Sequence, residues 1–382
     1  MKDCIIRKLE QIEELFPPER IERSKTRWRS LWKGERPDDG YPFVYGNFLF
    51  SYYDDVHTPE ERLRLTLDEI CVRGGLHDDY VPSIFPGCRQ STIPGMFGAK
   101  EKIVGRDYLC ERIIHDYKDI EKLPEPCIAP GTAAYGWLEM QKYFLDETGG
   151  RIPIHVTDMQ GPVDVAGQLW GYDQLFIAAM EEPAYYHQLL TKLTKAFILF
   201  WKSQKEILGN SFIGTHLFGW DWIPEGYGAT LSADSIVMVS PDFFDEFYKP
   251  YLDEIAKAFG DISIHSCGNF ASVFRNLTAL AYVKGIHASQ MTIDQLLKAG
   301  LDNRIMVCAV SDIDSVDGML DLIQKNSLRV DLTVMGLWPM GDGNSGLWPS
   351  PLNMPVRLDE MTPQLWDEVK RRDERMQELF IG

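Results

Sequence analysis

The sequence predicts a (β/α)8 barrel preceded by a helical N-terminal extension over residues 1–40. Three observations predict it. Eight short apolar or β-branched runs have strand length. Amphipathic stretches separate most of them, and such alternation makes βαβ units with a parallel sheet. The first run, near Phe43, is not followed by the GxGxxG loop that an open doubly wound sheet usually carries. No internal repeat, low-complexity linker or composition shift divides the 382 residues, so the chain reads as one barrel domain over residues 1–382. Barrels commonly reach this length as single domains.

Taken in order, the chain opens with two polar helical segments broken at Pro17-Pro18. Arg27, Arg29 and Lys33 on the second are read as a solvated face. Pro42 to Phe48 is the first strand. Thr58-Pro59-Glu60-Glu61 then starts a helix, with Thr as cap, Pro in the first turn and acids against the dipole. Gly74-Gly75 stops it. The second strand is Tyr80 to Phe85. Residues 90–150 are irregular apart from a helix at Gly131 to Thr148. The remaining strands are Ile152 to Met159, Phe212 to Phe218, Ile262 to Cys267, Val283 to Ala288, Ile305 to Val310 and Val330 to Met335. Helices are expected at Tyr172 to Glu181, Pro183 to Leu208 and Asp242 to Phe259, the last opened by Ser240-Pro241. Trp338 to Pro355 reads as a long loop before a final helix, Thr362 to Phe380. Loops of that length are commonly functional or mobile.

Composition excludes several classes. The formal charge of -18 repels nucleic acid and anionic membranes. No apolar run approaches the ~20 residues of a membrane span, and the charged start MKDCIIRKLEQIEELF lacks the apolar core of a signal peptide. The seven cysteines are scattered, odd in number and without CxxC, which suits reduced thiols and a cytoplasmic location.

In a barrel, chemistry sits at the C-terminal ends of strands. Those ends supply Asn47; Cys88 and Arg89; Asp158 and Gln160; His216, Trp220 and Asp221; His265, Cys267 and Asn269; Ser289 and Gln290; Cys308, Ser311 and Asp312; and Trp338. His265 and Cys267 stand two apart on one strand, so both side chains face the same side. Imidazole and thiolate are preferred zinc ligands, although a His and a Cys at this spacing also suit plain core packing. Asp158 and Asp221 equally suit turn caps, and His216 a hydrogen-bonded core histidine. Arg89 is the candidate anchor for an anionic substrate. The stretch Gly214 to Gly219 is similar to the DxHxxG corrinoid-ligating sequence, but Gly occupies the Asp position and the segment reads as a strand.

Several of these stretches resemble the uroporphyrinogen decarboxylase superfamily, which includes the zinc-dependent methyltransferases acting on methyl-corrinoid proteins. Gln160-Gly161-Pro162-Val163-Asp164 with Gln168-Leu169-Trp170-Gly171 is similar to the family's turn and helix after strand three. Glu182-Pro183 and Val239-Ser240-Pro241-Asp242-Phe243-Phe244 with Tyr248-Lys249-Pro250-Tyr251 resemble later helices. Ile264-His265-Ser266-Cys267-Gly268-Asn269 resembles the methyltransferases' HxCGN on strand five. The resemblance spans about Pro42 to Arg371 and implies the same barrel.

The decarboxylase branch places an arginine clamp after strand one and an aspartate after strand two. Here those regions are Tyr45-Gly46-Asn47-Phe48-Leu49 and Phe85-Pro86-Gly87-Cys88-Arg89-Gln90, with neither. The methyltransferase branch implies zinc on His265 and Cys267 with a third cysteine from the loop after strand eight. That loop, Asp342 to Pro349, has none. Cys308 is the substitute named here; otherwise Asp or Glu completes the site, or it is incomplete. The resemblance thus implies a methyltransferase moving a methyl group between a partner corrinoid (cobalamin-type) protein and a thiol or tetrahydrofolate. His216, Asn269, Gln160 and Asp158 would serve the chemistry, and Arg89, Asn47, Trp220 and Gln290 would bind substrate. The alternatives are a decarboxylase-like lyase on another small acid and a degenerate ligand-binding barrel.

Overall fold

The structure is a computed structural model that describes residues 2–46, 58–87, 89–104, 107–215, 222–224, 226–338 and 361–380. It is a mixed α/β fold of TIM-barrel-like arrangement. Its ten strands, among the described residues, are β1 (Phe43–Tyr45), β2 (Glu101–Val104), β3 (Asp107–Cys110), β4 (Ile154–His155), β5 (Phe212–Ile213), β6 (Thr230–Ser232), β7 (Ile262–Ser266), β8 (Val283–Ala288), β9 (Met306–Asp312) and β10 (Arg329–Met335). Six of them form one sheet in the order β1-β10-β9-β8-β7-β6, and β4 pairs with β5. All of these pairings are parallel. The hairpin β2–β3, within the stretch expected to be irregular, is antiparallel and stands apart.

The expected ring of eight continuous strands is therefore found only in part. Between β1 and β6 the wall is held by the short β4–β5 pair and by isolated contacts. The Asp79 amide donates to the Phe43 carbonyl at 2.9 Å, and bridges join Ile84 to Ile154 and Gln160 to Ser232. Two causes are visible. Pro82 and Pro153 remove ladder donors. The β1 amides of Phe43 and Tyr45 donate instead to the carboxylates of Asp79 and Asp78, at 3.2 and 3.0 Å. Strand β6 went unrecognised because three residues carry no readable alternation. The run expected as Phe212 to Phe218 is a strand over Phe212–Ile213, and 216–218 lie outside the described residues.

The helices form where their caps lie. Thr58 accepts from the Glu61 amide and starts Pro59–Arg73; such a cap contributes about 1 kcal/mol. Thr132 caps Ala133–Thr148, and Ser240 caps the helix opening at Pro241. That helix is not uniform. Phe244–Tyr248 is a π turn, and the α-helix resumes as Lys249–Phe259. Pro250, which lacks an amide donor, is the second residue after the widened turn.

The N-terminal extension is two helices, Lys2–Leu15 and Pro18–Lys33. One expectation fails here. Arg27 is not on a solvated face: its side chain is 3% exposed and pairs with Asp79, itself 1% exposed, at 3.1 Å. It thereby neutralises one of the carboxylates that replace ladder partners on β1. Arg73 does the same for Asp78, at 3.1 Å. One hydrophobic cluster runs from Ile5 on the first helix to Phe380 on the last. No helix among the described residues is long and apolar enough to cross a membrane.

Candidate metal centre

Strand β7 carries His265 and leads directly into Cys267. Gly268 then turns the chain away at φ +80°, a left-handed conformation that glycine adopts without strain. The pair meets a third residue that the sequence reading did not name. Asp234 follows β6, which pairs with β7 through Ser232 and His265. The donor atoms of Asp234, His265 and Cys267 all lie within 4.8 Å of one another. Cys267 Sγ is 3.4 Å from His265 Nε2, and Nε2 is 3.7 Å from Asp234 Oδ1. Tetrahedral zinc with nitrogen, sulfur and oxygen ligands at ~2.0–2.3 Å holds those atoms roughly 3.4–3.6 Å apart. The cluster fits a metal ion in donor type and in spacing.

The surroundings fix each member. The Asp234 carboxylate accepts from the Cys267 amide at 2.7 Å. Asp164, in the first turn of the helix Pro162–Trp170, accepts from the amides of Asp234 and Ser235 at 2.9 and 2.7 Å. It thus clamps the segment that presents Asp234. Ser289 Oγ lies 3.7 Å from Cys267 Sγ. His265 Nδ1 lies 2.7 Å from His287 Nδ1 on β8.

Burial dominates the electrostatics. It pushes the Cys267 thiol up to about 12, with the Asp234 charge adding to the effect. Without a cation this sulfur stays protonated at neutral pH, so a bare Cys267 thiolate is a poor candidate nucleophile. Burial also lowers His265, against the pull of Asp234, which favours the neutral imidazole that metals require. Asp158 is raised to about 7, by burial first and by Asp234 after it. It accepts from Ser232 Oγ at 2.7 Å, one strand position from His265. Asp164 is likewise raised to about 7, by burial and then by Asp234.

Cys308 is fully buried on β9 in register with His287, but its Sγ is 3.5 Å from Thr333 Oγ1 on β10. It does not join the cluster: β9 is two strands from β7, roughly 10 Å at ~4.8 Å per strand. Gln160 accepts from Gln168 Nε2 beside the site's rim. Asn269 is exposed and accepts from the Ala271 amide at 3.0 Å, a turn contact. Gln290 is exposed just beyond β8. Arg89 pairs with Glu101 at 3.2 Å, lies 5.5 Å from the Trp137 ring, and lines a separate cavity of about 480 Å³. Asn47, Cys88, His216, Trp220, Asp221 and the 342–349 loop lie outside the described residues.

Asp234, Asp164 and His287 were missed. A signal existed for the last: His287-Ala288-Ser289 repeats, on the neighbouring strand, the spacing of His265-Ser266-Cys267. Asp234 had none, because its strand was unrecognised.

No protein-family model matches the sequence, and no curated protein matches it. The fold has solved counterparts. A structure described as a methyltransferase from Methanosarcina mazei superposes with a TM-score of 0.61 over 92% of this chain and 98% of that one, at 17% identity. This similarity is one of fold.

Proposed function

We propose that the chain is a zinc-assisted methyltransferase that moves a methyl group between a partner's corrinoid and a small acceptor, a thiol or tetrahydrofolate. One observation carries the reading: an imidazole, a thiol and a carboxylate converge within 4.8 Å at the C-terminal ends of two adjacent parallel strands. Catalytic sites of barrel-like folds occupy that end. Three protein ligands leave a tetrahedral metal one open position, as catalytic zinc sites do. The similarity in fold to a structure named as a methyltransferase supports the reaction class.

Asp234, His265 and Cys267 would hold the ion. When bound, zinc supplies Lewis acidity that lets an acceptor thiol ionise at neutral pH. The chain's own residues then have distinct tasks. Ser289 stands within reach of Cys267 Sγ and tempers its charge. Asp164 fixes the backbone that carries Asp234. Asp158, which accepts from Ser232 Oγ on the strand beside His265, is the carboxylate that would take the proton the acceptor gives up. The acceptor sulfur would form a bond to the methyl carbon of the partner's methyl-corrinoid, taken as substrate, and the methyl–cobalt bond would break with its electron pair left on that substrate.

The first test is metal content. About one zinc per chain is expected, lost in His265→Ala, Cys267→Ser and Asp234→Ala, while Cys308→Ser retains it. Methyl transfer from free methylcobalamin to thiols or tetrahydrofolate should follow zinc content. A protein that takes up no zinc and is equally stable in all four variants overturns the proposal.

A further inference from the structure

We infer that His287 is a positioning residue of the metal centre: it accepts the Nδ1 proton of His265 and so keeps His265 Nε2 open as a ligand atom. The inference rests on reading Asp234, His265 and Cys267 as a metal centre.

The geometry is specific. His265 and His287 are cross-strand register partners on β7 and β8. Strand pairing therefore sets the two rings side by side, with centroids 4.7 Å apart. Both are buried, and their Nδ1 atoms are 2.7 Å apart. Two nitrogens at that distance need one proton between them. Two neutral arrangements satisfy this.

In the first, His265 Nδ1–H donates to His287 Nδ1. His265 Nε2 then presents its lone pair toward Cys267 Sγ and Asp234 Oδ1, at 3.4 and 3.7 Å. In the second, His287 Nδ1–H donates. His265 must then carry its proton on Nε2, aimed at the same two groups, and the ligand position is closed. Only the first arrangement is compatible with a cation on Nε2. A metal-bound imidazole ordinarily gives its other N–H to a carboxylate, a carbonyl or water. Here a second imidazole fills that place. Unlike a carboxylate, it can reverse its role by moving its proton to the other ring nitrogen. The pair thus has a metal-ready and a closed tautomer with the same heavy-atom positions.

Zinc competition against a chromophoric chelator tests this, using wild type, His287→Asn and His287→Leu. Asparagine places an accepting oxygen where Nδ1 stands, and leucine fills the volume without accepting. The expected result is a near-wild-type affinity for His287→Asn and a ~10–100-fold loss for His287→Leu. In ¹⁵N spectra of the zinc-loaded wild type, His265 should show a protonated Nδ1 and a metal-bound Nε2. Equal affinity in all three proteins, or equal loss in both variants, overturns the role of His287. If Cys267→Ser still loses zinc in that case, the metal centre itself stands. A wild type without Cys267-dependent zinc overturns both. Should His287→Leu fail to fold by circular dichroism, His287→Asn and the ¹⁵N assignment decide: a bare His265 Nδ1 refutes the inference.

Discussion

At the scale of single residues, the cluster is governed by what burial does to charge. Asp158 keeps its proton to about pH 7 in the folded chain, whereas an unfolded Asp releases it near ~4. Between those values the folded state holds the extra proton, so stability falls as pH rises from about 4 to about 7. Asp164 contributes in the same sense over the same window. In metal-free protein, Asp158→Asn should therefore flatten part of this fall and leave the share of Asp164; urea midpoints at pH 5 and pH 7.5 measure it. The change keeps an acceptor for Ser232 Oγ. The His265/Cys267 spacing was legible because strand geometry forces i and i+2 to one side. Asp234 was not, because it meets them through chain pairing rather than through sequence distance. Cys308 shows the converse: a residue type suited to zinc, turned toward Thr333 by its place two strands away.

At the scale of elements, the turn after Cys267 depends on one glycine. A Cβ at Gly268 would sit 3.1 Å from Val237 Cγ1 in a left-handed conformation. Gly268→Ala should cost about 1–2 kcal/mol, seen as a lowered thermal midpoint, and should weaken zinc binding by displacing Cys267. The helix Pro18–Lys33 is pinned through Arg27, whose loss would strand the buried Asp79 carboxylate. Arg27→Met should cost about 3–5 kcal/mol, and Arg27→Met with Asp79→Asn, which removes the stranded charge and keeps an acceptor for the Phe43 amide, should recover part of it; denaturant unfolding of the two variants checks this. The polar, Arg-bearing look of that helix hid the contact, since a buried ion pair leaves the same sequence trace as a solvated face. Helix starts, by contrast, were legible at Thr58 and Ser240, because capping is settled within four residues.

At the scale of the whole molecule, the hydrophobic cluster from Ile5 to Phe380 includes none of Asp234, His265 and Cys267. Stripping metal with a chelator should leave far-UV circular dichroism unchanged and lower the thermal midpoint only by the linkage term, about 2.7 kcal/mol at one hundredfold excess over Kd. Collapse on chelation, as in zinc fingers, would contradict that. The sequence by itself determined the α/β class, the parallel strands β7 to β10, the limits of the longest helices and the His265/Cys267 pair, because strand period, caps and i, i+2 facing are local. Only the tertiary structure decided that the wall between β1 and β6 is held by one short pair, bridges and carboxylates, that Arg27 is buried, and that Asp234 and His287 lie beside His265. Those outcomes depend on which strands lie side by side and in what register, and register is a property of paired chains rather than of any one stretch.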